Sequence, residues 1–234
     1  MISQYTVNLI EKKEIAENTF QLILTKPKDF SFSPGQFMFL DFPNPVNTDD
    51  NPTFRAMSIA SSPCEENLMF IMRGSESAFK QNMEAMQIDD PIIVKGPMGH
   101  ITLPQNINQP MAFIVAGVGI TPARAMIKHE EHQKVDRQVT LLYASKTKNS
   151  IALFDELKNV ELKNYNPVFT LTREEGEWDG ETGRINEEMI RKYVDEIEKT
   201  MYYIVGTKAF TESMKEILEN MGIAKENVQF DNFG

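Results

Sequence analysis

In FIVAGVGITPARAMIKH, Phe113 to His129, an apolar run ends at Ala116 and gives way to two glycines, Gly117 and Gly119. Thr121 and Pro122 follow as an N-cap and N1 pair that opens a helix. A strand passing through a glycine turn into a helix start can bind a diphosphate. The glycines let the backbone approach phosphate oxygens, and the helix start offers free N–H groups and the positive end of its dipole. Pro122 withholds one of those donors, which separates this loop from the usual dinucleotide fingerprint. Gly and Pro also shape plain tight turns, and the segment alone leaves both readings standing.

Further segments repeat parts of that chemistry. YASKTKNS places Ser145, Lys146 and Lys148 after a strand, where they could meet a ribose or its 2′-phosphate. Lys and Ser are equally common in exposed loops. YYIVGTKAF repeats the strand–glycine–helix plan at Gly206, and VKGPMGHITLP predicts a sharp turn at Gly96, Pro97 and Gly99. In TFRAMSIASSP, Thr53 to Pro63, Arg55 interrupts a strand of small, hydroxyl and apolar side chains, with Ser58 and Ser61 beyond it. An edge arginine with its head in water accounts for Arg55, and so does a planar anion lying along the strand. Hydrolytic signatures are absent: there is no Gly-x-Ser-x-Gly, Walker A or His-Glu-x-x-His. Hydride transfer needs few protein acids or bases, because a cofactor carries the reaction and the protein orients it.

The elements that must position these residues change character near LPQNINQP, Leu103 to Pro110. Before it lie short strand-type runs, YTVNLIEKKEI, TFQLILTK, GQFMFLDF, FRAMSIAS, LMFIMRG and PIIVKGP, with one helix in SAFKQNMEAMQI. Such a series predicts an antiparallel β-barrel or sandwich over residues 1–105. After it, AFIVAG, QVTLLYAS, PVFTLTR, YYIVG and NVQF alternate with helical stretches Pro122–Lys134, Ile151–Asn159, Asn186–Glu198 and Phe210–Met221. That alternation predicts an α/β domain with a parallel sheet over residues 106–234, its last helix closed by Gly222.

Composition narrows the partners. Across 234 residues the net charge is −10, which argues against nucleic acid or an anionic membrane surface. No apolar run is long enough to span a bilayer. The polar N-terminal stretch is unlike a signal peptide, so the expected location is the cytoplasm. A single cysteine, Cys64, excludes a Cys-ligated cluster or Cys-rich zinc site within the chain. The scattered His100, His129 and His132 read as surface residues, and no metal is expected.

In their order along the chain these segments resemble the ferredoxin–NADP reductase superfamily, over nearly the whole length. Members carry R-x-Y-S-x-x-S in a flavin-binding barrel, a G-P-x-G turn, a G-x-G-x-x-P nicotinamide loop, C-G-P and a final aromatic. The matching residues are Arg55/Ser58/Ser61, Gly96 to Gly99, Gly117/Gly119/Pro122, Val205-Gly206-Thr207 and FDNFG. The resemblance implies a flavin-binding β-barrel followed by an NAD(P)-binding α/β domain. It implies FAD rather than FMN as cofactor, with NADPH or NADH as substrate. Arg55, with Ala56 beside it, would meet the flavin diphosphate, and Met57 would cover the ring in place of the family's Tyr. Ser58 would act catalytically near flavin N5, with Ser61 also at the flavin. Arg73, Gly74, Ser75 and Ser77 would cradle phosphate. Gly117, Val118, Gly119, Thr121 and Pro122, with Ser145, Lys146 and Gly206, would hold the nucleotide. Phe233 would stack on the isoalloxazine. Val205 and Thr207 replace Cys and Pro of C-G-P, so the thiol beside the nicotinamide is missing. The implied activity is NAD(P)H oxidation through flavin to a redox-protein or small acceptor. The alternative is a flavin-bearing electron-transfer subunit or regulatory module with little nucleotide turnover.

Overall fold

Apolar residues contributed by each of the first six strands wrap them around one interior. In the computed structural model, which describes residues 2–49, 54–173 and 176–233, these are β1 (Ser3–Ala16), β2 (Thr19–Leu24), β3 (Phe37–Asp41), β4 (Arg55–Ser58), β5 (Leu68–Arg73) and β6 (Pro91–Met98). They form an antiparallel sheet in the order β4-β3-β6-β1-β2-β5. Just past β4, Ala60 N donates to Met69 O of β5 at 2.7 Å, joining the two outer strands so that the sheet closes on itself. Inward residues of every strand build the core, among them Val7, Leu22, Met38, Met57, Phe70 and Val94. Helix α1 (Ala78–Ala85) adds Phe79 and Met83 to it. Lys12 Nζ donates to Met86 O at 3.0 Å, setting a cation against the helix's C-terminal carbonyls.

The second half carries near-continuous apolar strands, as a sheet covered on both faces requires. Its strands are β7 (Met111–Ala116), β8 (Val139–Ser145), β9 (Tyr165–Leu171), β10 (Glu181–Thr182), β11 (Met201–Gly206) and β12 (Val228–Asn232), all parallel in the order β10-β9-β8-β7-β11-β12. Phe113 and Val115 face one side with α2 (Ile120–Gln133) and α3 (Phe154–Lys158). Ala112 and Ile114 face the other with α4 (Glu187–Tyr193) and α5 (Lys208–Asn220). Among the described residues no helix is long and apolar enough to cross a membrane.

The structure departs from the sequence reading in places where a local pattern competes with packing. Gly96 and Pro97 lie inside β6, at a bulge opposite Phe37 and Phe39, and not in a sharp turn. Thr121 does not cap a helix: a 3-10 turn at Gly117–Gly119 runs directly into α2 and places Thr121 and Pro122 within its first turn. α3 is shorter than the expected Ile151–Asn159, because Leu153 adopts φ 60° and breaks the run before it. α4 stops at Tyr193, well before Glu198. The two-residue β10 is too short to leave a periodic signal. Thr53 and Gly234, within two of the quoted segments, lie outside the described residues.

Candidate functional site

Strand order creates a crevice. From β7 the sheet grows through β8 and β9 to one side, then the chain returns to place β11 on the other side of β7. Ligands of open α/β sheets bind at such a reversal, outside the carboxyl ends of the strands. Gly117 and Gly119 follow β7 there, Gly206 ends β11, and Phe233 follows β12 with its N–H donating to Gly206 O at 2.8 Å. The two loop glycines serve different physical needs. Gly117 has φ 55° and faces open space, so its freedom is conformational. Gly119 has an ordinary φ, but a Cβ on it would meet Val205 O at 2.2 Å, so it permits close approach to the end of β11.

Beneath this loop sits Tyr143, 1% exposed, whose hydroxyl donates to Gly117 O at 3.0 Å and accepts from Ala152 N at 3.3 Å. Burial pushes its phenol well above the ordinary value, so it stays a neutral donor. Thr121 Oγ1 donates to Val118 O at 2.7 Å, a bond internal to the turn. Ser145 is buried at the end of β8. Lys146 is exposed, and its carbonyl accepts from Arg173 N at 2.9 Å, so Arg173 joins the same sheet edge. Thr207 caps α5 through Phe210 N.

A second locus lies where β4, the end of β5 and the start of α1 meet. Arg55 sits over the Phe79 ring at 5.7 Å and donates to Phe54 O at 3.1 Å. Burial, then the neighbouring charges of Arg73 and Arg55, pushes the Lys80 ammonium below its ordinary value. Cations close enough to disfavour one another form a site fitted to a polyanion. The first turn of α1 holds no acidic residue, and Ser77 at its N-cap makes no capping bond, which leaves the positive helix end available. Ser75 and Ser77 bond each other at 3.3 Å, and Gly74 N donates to Asn18 O at 2.9 Å. These groups fit a flavin's diphosphate.

Along β4 the serines separate by role. Ser61 Oγ accepts from Met69 N at 3.0 Å, a bond that helps close the barrel. Ser58 is 5% exposed, and its hydroxyl makes no hydrogen bond to the described residues. Register places Arg55 opposite Leu40 and Met57 opposite Met38, so Arg55 and Met57 share a face while Ala56 is exposed on the other. Met57 is 9% exposed and belongs to the barrel core.

The two loci are held together by a residue to which the sequence drew no attention. Arg124, on α2 and 3% exposed, donates from Nη1 to Ala60 O at 2.8 Å. It forks onto Glu65 at 2.9 and 3.0 Å, and its Nε pairs with Glu156 at 2.7 Å. Val118 of the glycine loop packs against Ala60, Met69 and Ile71 of the barrel. Lys80, Arg173, Tyr143 and Arg124 all escaped the sequence reading. Only Lys80, three residues past Ser77 at a helix start, carried a local signal.

Comparison with known proteins agrees with this geometry. Residues 113–216 match the family described as oxidoreductase NAD-binding domain. The chain is similar to flavohemoprotein A of Dictyostelium discoideum, 23% identical over 97% of this chain and 59% of that protein. It is also similar to the anthranilate 1,2-dioxygenase electron transfer component of Acinetobacter baylyi, 26% identical over 88% of this chain and 59% of that protein. The chain thus spans about three fifths of the length of these curated relatives. Among solved structures, the FAD/NAD-binding domain of Vibrio cholerae nitric oxide dioxygenase superposes with TM-score 0.85 at 19% identity, covering 98% of both chains. The ferredoxin NADP+ reductase of Neisseria gonorrhoeae with bound FAD and NADP gives 0.84 at 18% identity, again covering 98% of both. Residues 113–216 thus carry an oxidoreductase NAD-binding domain, and the whole chain has the fold of ferredoxin–NADP reductase-like FAD/NAD(P)-binding proteins.

Proposed function

We propose that this chain is a flavin-dependent NAD(P)H oxidoreductase that passes electrons to a redox-protein or small acceptor. The observation that carries the reading is the apposition of two unlike sites. A cation cluster at a helix start lies on the barrel, and a left-handed glycine turn at the sheet's reversal point packs against the same barrel through Val118. Bound flavin supplies the acceptor for the nicotinamide's two electrons and a store from which they leave singly or in pairs.

The chain's own residues bind and orient. Arg55, Arg73, Gly74, Ser75 and Ser77 hold the diphosphate, with Lys80 adding charge, and three neighbouring cations at one helix start favour FAD over FMN. Ser58 keeps its hydroxyl for the flavin N5, since no hydrogen bond engages it among the described residues. Met57, on the same face as Arg55, meets the ring from the barrel side, Ala56 lies on the strand's other face, and Ser61 keeps the strand in place. Gly117, Val118, Gly119, Thr121 and Pro122 form the nicotinamide-nucleotide turn, held from below by Tyr143. Gly206 and Phe233 close the crevice, while Ser145 and Lys146, with Arg173 beside them, face the distal ribose.

Anaerobic titration of the purified protein tests this. A yellow protein whose flavin absorbance bleaches on adding NADH or NADPH supports it, and the preferred nucleotide is read from the same titration. A flavin-loaded protein that neither nucleotide bleaches favours the electron-transfer or regulatory module, consistent with Val205 and Thr207 standing in place of Cys and Pro. A colourless protein that takes up neither FAD nor FMN sinks both readings.

A further inference from the structure

Arg124 is unusual in where it lies and in what it bonds. A guanidinium 3% exposed is costly unless its donors are matched, and its partners come from both halves of the molecule. Glu156 lies within α3 of its own domain, whereas Ala60 O and Glu65 belong to the barrel. Those barrel groups lie just beyond Ser58. Ser62 N donates to the Glu65 carboxylate, and Lys26 Nζ donates to Pro63 O at 2.7 Å, so Ser62 to Glu65 is a braced turn. On the other side, Arg124 follows Gly117–Gly119 by less than two helical turns. One buried side chain therefore ties the segment that presents Ser58 to the helix that presents the glycine loop.

We propose that Arg124 is a positioning residue for electron transfer, fixing Ser58–Ser62 against Gly117–Gly119 across the domain seam. This rests on the flavin and nucleotide reading above. Glu65 is the partner that crosses the seam, and Glu156 anchors the guanidinium within its own domain. The bidentate fork on Glu65 fixes direction as well as distance, which a lysine's single ammonium does not. The apolar contact of Val118 with Ala60, Met69 and Ile71 holds the same segments together from the loop side.

The test compares Glu65→Gln with Glu156→Gln in the full flavin-loaded chain, with Arg124→Met as the complete break. Glu65→Gln and Arg124→Met should slow anaerobic flavin bleaching at saturating nucleotide by about tenfold to a hundredfold, with KM moving by no more than about threefold. Hydrogen exchange at the amides of Ile59, Ala60 and Val118 should quicken in both variants, and Glu156→Gln should change rate and exchange much less. Equal slowing by Glu65→Gln and Glu156→Gln overturns the proposal, because a general loss of stability would not tell the two carboxylates apart. Unchanged bleaching with unchanged exchange overturns it as well. If Arg124→Met does not fold, the glutamine pair still decides. A wild-type chain without flavin overturns the functional reading instead, and the exchange comparison then passes or fails on the clamp alone.

Discussion

Arg55 and Ser58 sit on one short strand, and each meets surroundings that its neighbours do not. Ser61, so similar in sequence, is committed to Met69 N, whereas the Ser58 hydroxyl makes no hydrogen bond to the described residues. Arg55 stands over the Phe79 ring, beside the cations that depress Lys80. Arg55→Ala should weaken flavin binding about tenfold to a hundredfold, the loss of a charge-assisted contact of about 1.5–3 kcal/mol. The flavin-to-protein absorbance ratio after purification measures it, and retention of full flavin would contradict the role. Ser58→Ala should keep flavin and slow bleaching, which separates the two positions in one pair of variants.

The glycine loop is governed by the elements on either side of it. Gly117 carries a backbone that L-residues avoid, at a cost of about 1–2 kcal/mol for alanine, but has room for a side chain. Gly119 has the reverse problem, since its Cβ would drive into the carbonyl that ends β11. Thermal unfolding should therefore show Gly119→Ala as the more destabilised variant, and the opposite order would refute this division of labour. Tyr143→Phe removes the donor to Gly117 O and should cost about 1 kcal/mol of stability. It should also raise KM for the nucleotide by more than it lowers flavin content, because its hydroxyl holds the loop at Gly117.

Across the whole molecule, the clamp at the seam predicts a pH response. Burial works to raise the Glu65 carboxyl, but Arg124 and the Ser62 amide outweigh it and hold it below its ordinary 4.5. A carboxylate lowered in the folded state adds stability above the unfolded value and loses it as pH falls through the folded one. Glu65→Gln should thus lower the melting temperature near neutrality, and the gap to wild type should narrow steadily once pH drops below 4.5. A gap that stays constant into acid would remove Glu65's charge from the account. The net charge of −10 bears on the same scale, since an acidic acceptor must overcome overall repulsion. Electron delivery to such an acceptor should speed up as added salt screens that repulsion.

Much of this was legible in the chain itself. Short strand-type runs, then apolar strands alternating with helices, point to an antiparallel barrel or sandwich followed by a parallel sheet, because strand and helix leave different local patterns. The glycines after Ala116 and the arginine in FRAMSIAS stand out in the chain because conformation and charge are local properties. Folding decided what depends on residues far apart in sequence. Arg124 meets Glu65 across a separation of 59 residues, and no local pattern encodes that meeting. The same holds for Lys80 beside Arg55, Arg173 beside Lys146 and the two-residue β10. Thr121 and Gly96 show the opposite failure: each has the residue type for a cap or a turn, and the neighbouring helix or strand absorbed it instead. Propensity describes a residue with its near neighbours, while packing chooses among the states that propensity allows.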